Sequence, residues 1–408
     1  MEIFNQFTSI AAILTLSLLL TVAIIIVIMG KRRSGKKTPG PQLPIKQSSG
    51  YTHLSRSDDP VPFNQDSWLS RDQSAEWLAA MTRVGTTYQQ AGITHIILVH
   101  GTFTGTDPFG LVGILKAIYP QLSRQVEGWL KKGVKASTDQ LMGNVGNFTE
   151  EYAQLLGTSL RQNAIIDRFH WSSENHHAAR WNAALGLIEK LVKIKRDHPS
   201  SCQNFLLIGH SHAGQIFATM EHLIQKDSLL HKQLWQLAGE EHRSQWEATL
   251  THLHDCQRFF ATLGMPPRYP WPESSTNRAI HIVNHRDPSL QAERFEGILT
   301  TQGGDYIQRL ALDGSDIVPH KRKERDLCQQ LSQIFGPSAN LNHLRMLTKT
   351  STRPLGAGFS YLIDFEDQNA IKPNFWKTIF GHGVYTQPEH MKFIHEIIAK
   401  HFFEEPKD

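Results

Sequence analysis

One stretch constrains this chain more than any other: Phe205-Leu206-Leu207-Ile208-Gly209-His210-Ser211-His212-Ala213-Gly214-Gln215. Four apolar residues run into Gly209, and a serine follows two residues later. Ile216, Phe217, Met220 and Leu223 then recur at helical spacing. A short unbroken apolar run suits a strand buried on both faces. Strand, tight turn, serine and helix in that order would present the hydroxyl at a strand edge. The helix behind it would point its first amides at negative charge developing during attack.

The segments before and after this stretch predict a parallel sheet around it. Thr94 to Val99 reads as a buried strand entering the turn His100-Gly101-Thr102-Phe103, and Ala164 to Trp171 as another strand. Ala178 to Lys195 is an amphipathic helix with Ala183, Ala184, Leu187, Ile188, Leu191 and Val192 on one face. Strand, helix, strand at this spacing is a βαβ unit. Phe260–Gly264, Ala279–Val283, Tyr306–Leu312 and Ser360–Phe365 are further strand candidates, and a final helix carries Met391, Ile394, Ile397, Ile398 and Phe402. The expected fold class is α/β, with a mostly parallel central sheet and helices on both faces.

The N-terminus differs. Residues 10–29 are almost unbroken apolar sequence, long enough to span a bilayer as a helix. No Lys or Arg precedes the run and no small-x-small cleavage site follows, which argues against a cleaved signal peptide. Lys31, Arg32, Arg33, Lys36 and Lys37 follow directly, placing the C-terminal side in the cytoplasm by the positive-inside rule. The expected organisation is an anchor with its basic flank over 1–33 and a Ser-, Gly- and Pro-rich linker over 34–65. A globular domain follows over 66–408, with a polar helical insertion near 225–259.

Composition excludes several classes. The net charge of +4 is weak and partly spent in the basic cluster, and no basic, aromatic-interleaved stripe points to nucleic acid. Three scattered cysteines, Cys202, Cys256 and Cys328, form neither a disulfide framework nor a CxxC metal pattern. His210 and His212 flank the serine, but on a sharp turn their side chains should diverge, and no carboxylate–histidine ligand set accompanies them. No cofactor or metal is expected.

A serine needs a base to take its proton and a group to orient that base. In a parallel α/β sheet both belong in loops beyond the carboxyl ends of later strands. His382, in Gly381-His382-Gly383, and Asp316, in the turn Asp313-Gly314-Ser315-Asp316, meet this requirement. Asp313 and Asp287 compete for the acid. His390 and His395 compete for the base, but fall within the final helix pattern and read as surface residues. His176-His177 reads as the exposed start of a helix.

From about Ile93 to Phe402 the chain resembles the α/β-hydrolase superfamily, in its lipase- and esterase-like branches. Gly209-His210-Ser211-His212-Ala213 is similar to the family's Gly-x-Ser-x-Gly, with Ala213 where the family usually has Gly. Leu98-Val99-His100-Gly101-Thr102 resembles its oxyanion strand and turn. Phe260-Ala261-Thr262-Leu263-Gly264-Met265-Pro266 resembles a Thr-Leu-Gly-Thr-Pro strand, Asp316-Ile317-Val318-Pro319 the Asp-x-Val-Pro acid segment, and Gly381-His382 the closing Gly-His loop. The resemblance implies a Ser211–His382–Asp316 triad, with backbone amides of His212 and of Thr102 or Phe103 as oxyanion hole. It implies a membrane-tethered serine hydrolase of ester or lipid-like substrates. The competing expectation is a catalytically idle domain of the same fold, serving as a membrane-anchored binding or scaffold module.

Overall fold

The structure, a computed structural model, describes residues 50–55, 61, 63–64, 69–102, 145–197, 204–238, 250–251, 253, 255–285, 304–305, 307–308, 318–319, 321–336, 355–365 and 381–404. All of them belong to one compact unit spanning Ile45–Asp408. The apolar run at 10–29 lies outside them, and among the described residues no helix is long and apolar enough to cross a membrane.

Seven strands form one sheet among the described residues: β1 (Gly50–Ser55), β2 (Ile93–Val99), β3 (Ile165–Phe169), β4 (Asn204–His210), β5 (Arg258–Leu263), β6 (Ala279–Asn284) and β7 (Phe359–Asp364). Their order is β1-β7-β6-β5-β4-β2-β3, and every pairing is parallel. Side chains alternate across the strands, so neighbouring residues enter different cores. Ile97, Val99, Phe205, Leu207 and Phe260 pack with α3 (His177–Asp197), α4 (Ala213–Ile224) and α6 (Arg322–Phe335). Ile96, Leu98, Leu206, Ile208 and Ile282 pack with α1 (Ala75–Gln90), α2 (Glu150–Ser159) and α7 (Met391–Phe403). Burial on both faces explains the continuous apolar runs in the sequence. A further helix, α5 (His231–Leu237), lies in the expected insertion and buries Leu234.

The chain passes from β2 outward to β3, then returns to lay β4 on the other side of β2. Strand order reverses there, and the crevice beyond the carboxyl ends of β2 and β4 is where such sheets bind ligands. Gly101 and Ser211 both lie at that edge.

Three expectations change. Residues 50–55, read as linker, form β1 in parallel register with β7. Tyr306–Leu312 was expected as a strand, yet Ile307 and Gln308 are helical, because Asp305 Oδ1 accepts the Gln308 N–H at 2.9 Å and caps a turn. His176, His177, His390 and His395, read as exposed, are all buried. Two of them meet a tyrosine: His177 Nδ1 meets the Tyr269 hydroxyl, and Tyr88 OH lies 3.0 Å from His395 Nδ1.

Two buried histidines give the fold a pH dependence. Burial pushes His395 down to about 3 and His281 down to about 4. Both stay neutral in the native state where an unfolded histidine takes a proton near 6.5. Their stabilising contribution is therefore complete above that value and falls as pH drops through the window toward 4. Each group accounts for up to about 1.4 kcal/mol per pH unit there. The urea midpoint should fall clearly between pH 7.5 and pH 5; an unchanged midpoint would contradict neutral burial.

Candidate active site

Ser211 is the junction between β4 and α4, and its φ of 56° lies in the left-handed region that a residue with a side chain rarely adopts. The turn is over-determined by its surroundings, as such strain requires. The Ser211 N–H donates to the Leu263 carbonyl at 2.8 Å, and its own carbonyl accepts the Gly214 N–H at 3.2 Å. A Cβ at Gly209 would come within 2.6 Å of the Phe217 ring and 2.8 Å of the Ala213 Cβ. That pair explains how Ala213 stands in place of glycine: Gly209, facing it, has no side chain.

The turn after β2 presses on the same point. A Cβ at Gly101 would lie 2.9 Å from both Ser211 Cβ and His210 Nδ1, so only glycine allows this approach. Thr102 Oγ1 lies 2.7 Å from His212 Nδ1. Behind the turn, Trp171 Nε1 donates to the His100 carbonyl at 2.9 Å and the two rings stack with centroids 5.9 Å apart. Thr102 and His212 are thus brought together beside Ser211; Phe103 lies outside the described residues.

His382 approaches from the other side. Its ring centroid is 4.5 Å from that of His210, and His210 Nε2–H donates to the His382 carbonyl at 2.8 Å. Burial, and then the adjoining His382 ring, push the His210 imidazole down to about 3, so it acts here as a neutral donor. His382 Nδ1 donates to Asp305 Oδ2 at 2.8 Å, which leaves the Nε2 lone pair to act as a base. The same carboxylate oxygen accepts from Tyr385 OH at 2.7 Å. The backbone N–H of Asp305 is tied to the Asn284 carbonyl at the end of β6, at 2.8 Å.

Asp305 is therefore the carboxylate that meets His382 among the described residues. Asp316, with its competitors Asp313 and Asp287, lies outside the described residues. Asp305 is fully buried, with Oδ1 capping a helical turn and Oδ2 divided between His382 and Tyr385. A signal was present: Gly304-Asp305-Tyr306-Ile307-Gln308 contains the Asp-x-x-Gln spacing of a helix N-cap. Two further positions hold Asp305 and His382 together. Gly381 has a φ of 75°, and a Cβ there would meet the Gly304 carbonyl at 2.2 Å. Gly264 has a φ of 62°, and its Cβ would meet Asp305 Oδ2 at 2.6 Å.

One histidine ring stands near the serine hydroxyl. Ser211 Oγ lies 3.4 Å from His212 Nδ1, which also meets Thr102. No hydrogen bond joins Ser211 to His382 among the described residues, and catalytic hydrogen bonds in ligand-free sites are often long until substrate closes them. His382 has the buried carboxylate that fixes its tautomer. The flanking histidines do diverge, His210 toward His382 and His212 toward Thr102. Among the described residues no group of three or more His, Cys, Asp or Glu is arranged to hold a metal ion.

No protein-family model matches the chain, and neither a curated protein nor a solved structure matches it.

Proposed function

We propose that this protein is a serine ester hydrolase of the α/β-hydrolase type, with Ser211 as nucleophile, His382 as base and Asp305 as the acid that orients it. The observation that carries the reading is Ser211 held at positive φ between β4 and α4, next in sequence to His210, whose ring packs 4.5 Å from that of His382, itself bound through Nδ1 to a buried carboxylate. Strain of that kind concentrates at functional sites. The strand order, with its reversal between β2 and β4, fits the same fold family.

In this mechanism His382 Nε2 takes the Ser211 proton as Oγ attacks the ester carbonyl. Asp305 holds the ring and stabilises the imidazolium. The oxyanion is met by the His212 amide at the start of α4 and by the turn after β2. His382 then protonates the departing alcohol. Water, activated by the same histidine, releases the acid and restores Ser211.

Residues 10–29 would anchor the domain as a single membrane helix, with the catalytic part on the cytoplasmic side. An amphiphilic, lipid-like ester is the substrate class that such tethering favours. Full-length protein in detergent should hydrolyse p-nitrophenyl acyl esters, and Ser211→Ala should reduce turnover to the uncatalysed background. Equal turnover in wild type and Ser211→Ala would dismiss the reading.

A further inference from the structure

Asp305 carries a second side chain besides the base. Tyr385, on a short helical turn over Val384–Thr386, follows His382 along the same loop and is fully buried. Its hydroxyl stands between two groups of fixed polarity. The backbone N–H of Asn284, the last residue of β6, donates to the phenol oxygen at 2.7 Å. The phenol donates to Asp305 Oδ2 at 2.7 Å, the oxygen that also accepts His382 Nδ1–H at 2.8 Å. An amide N–H can only donate and a carboxylate accepts, so the O–H has one direction open to it. Donation from Asn284 polarises that O–H and strengthens its bond to the carboxylate.

The surrounding backbone holds the phenol in place. A Cβ at Gly264 would come within 2.5 Å of Tyr385 Cε2 and 2.6 Å of Asp305 Oδ2. Phe365 packs edge-on against the Tyr385 ring at 5.6 Å. Asn284 ties the same group together twice more. Its carbonyl accepts the Asp305 N–H at 2.8 Å, and its Nδ2 donates to the Gly381 carbonyl at 3.0 Å. The end of β6 thus holds the backbone of Asp305, the loop of His382 and the phenol. Phenylalanine would match the ring, so the hydroxyl is what tyrosine adds. Two donors share Oδ2, and each takes part of its negative charge. Oδ1 is occupied by the Gln308 N–H at 2.9 Å, so the carboxylate is held at both oxygens.

We propose that Tyr385 is a positioning residue for the Asp305–His382 pair: its hydroxyl fixes the plane of the carboxylate and limits how strongly that carboxylate holds a protonated His382. The role rests on the serine-hydrolase reading above. Without the hydroxyl, Asp305 loses one of its restraints, and the ring of His382 is less well aimed. The charge on Oδ2 then falls to His382 alone. An imidazolium held more strongly gives up its proton at higher pH. Asp305, His210 and Tyr385 face the His382 ring. His210, pushed down to about 3, stays neutral across the range of an assay. A change in the acidic limb of the pH profile therefore reports on Asp305 and Tyr385.

The test compares full-length wild type, Tyr385→Phe, and protein carrying 3-fluorotyrosine in place of Tyr385, on a p-nitrophenyl acyl ester in detergent. Fluorine makes the phenol a stronger donor at nearly the same size. In Tyr385→Phe, kcat should fall about ten- to a hundredfold, with KM within about twofold of wild type. The acidic limb of kcat/KM should move up by about half a pH unit or more. The fluorinated protein should move that limb the other way. It also keeps an acceptor for the Asn284 N–H, so it decides the question even where Tyr385→Phe does not fold. A role in packing alone would lower the yield of folded protein and leave the limb in place. The NMR signal of the His382 Nδ1 proton should move downfield in Tyr385→Phe and upfield in the fluorinated protein. That signal needs no turnover. If turnover survives Ser211→Ala, the hydrolase reading fails, and the proton signal still shows whether Tyr385 acts on the pair. A limb and a proton signal unmoved in both altered proteins would overturn the role of Tyr385 while leaving Ser211 and His382 as assigned.

Discussion

Replacing His382 with alanine is expected to lower kcat on an acyl ester by about six orders of magnitude, the loss seen when a serine triad loses its base. His212→Gln should cost less than about tenfold, since glutamine retains the backbone amide offered to the oxyanion. The comparison matters because His212 Nδ1 lies 3.4 Å from Ser211 Oγ. Distance alone would choose it. Orientation favours His382, whose Nδ1 is bound to a fully buried carboxylate, so that Nε2 must be the basic nitrogen. The variant should also keep its fold, because His210 holds the His382 carbonyl and not its ring. Stopped assays on both purified variants decide the matter. Activity retained in His382→Ala and lost in His212→Gln would make His212 the base.

Asp305→Asn is expected to lower kcat by about four orders of magnitude, with little loss of stability. Asparagine matches the shape of aspartate, and its carbonyl oxygen can still cap the Gln308 N–H. Its amide group, however, would face His382 Nδ1 as a donor. That favours the opposite tautomer, with the proton on Nε2, where the base is needed. Asp316→Asn should leave kcat within about twofold, because Asp305 already meets His382 Nδ1. Steady-state kinetics on the two variants, with thermal melts to confirm folding, would separate them. A large loss in Asp316→Asn alone would restore the original assignment.

The serine turn was legible because its constraints are local. Gly209 must lack a side chain to pass Phe217 and Ala213, and the apolar run before it must be a strand to reach the sheet edge. The central strands were legible for the same reason, since β2, β4, β5 and β6 are buried on both faces and carry no polar interruption large enough to disguise them. What escaped depended on distant partners. Gly50-Tyr51-Thr52-His53-Leu54-Ser55 looks like linker, and only pairing with β7, some three hundred residues later, makes it a strand. Asp305 escaped because Tyr306, Ile307 and Leu310 suggested a strand, while the decisive fact was a cap at Gln308 and a histidine 77 residues away. The buried histidines were misread because partners such as Tyr88 and Tyr269 come from remote segments.

The central claim is that Ser211 is an activated nucleophile, and a fluorophosphonate tests it most directly because it reacts only with a serine already served by its base. Full-length wild-type protein should be labelled, with the phosphonyl group located on the Ser211 peptide by mass spectrometry. Labelling should vanish in Ser211→Ala and fall sharply in His382→Ala. A well-folded wild type that remains unlabelled, or carries the label on another serine, would contradict the account.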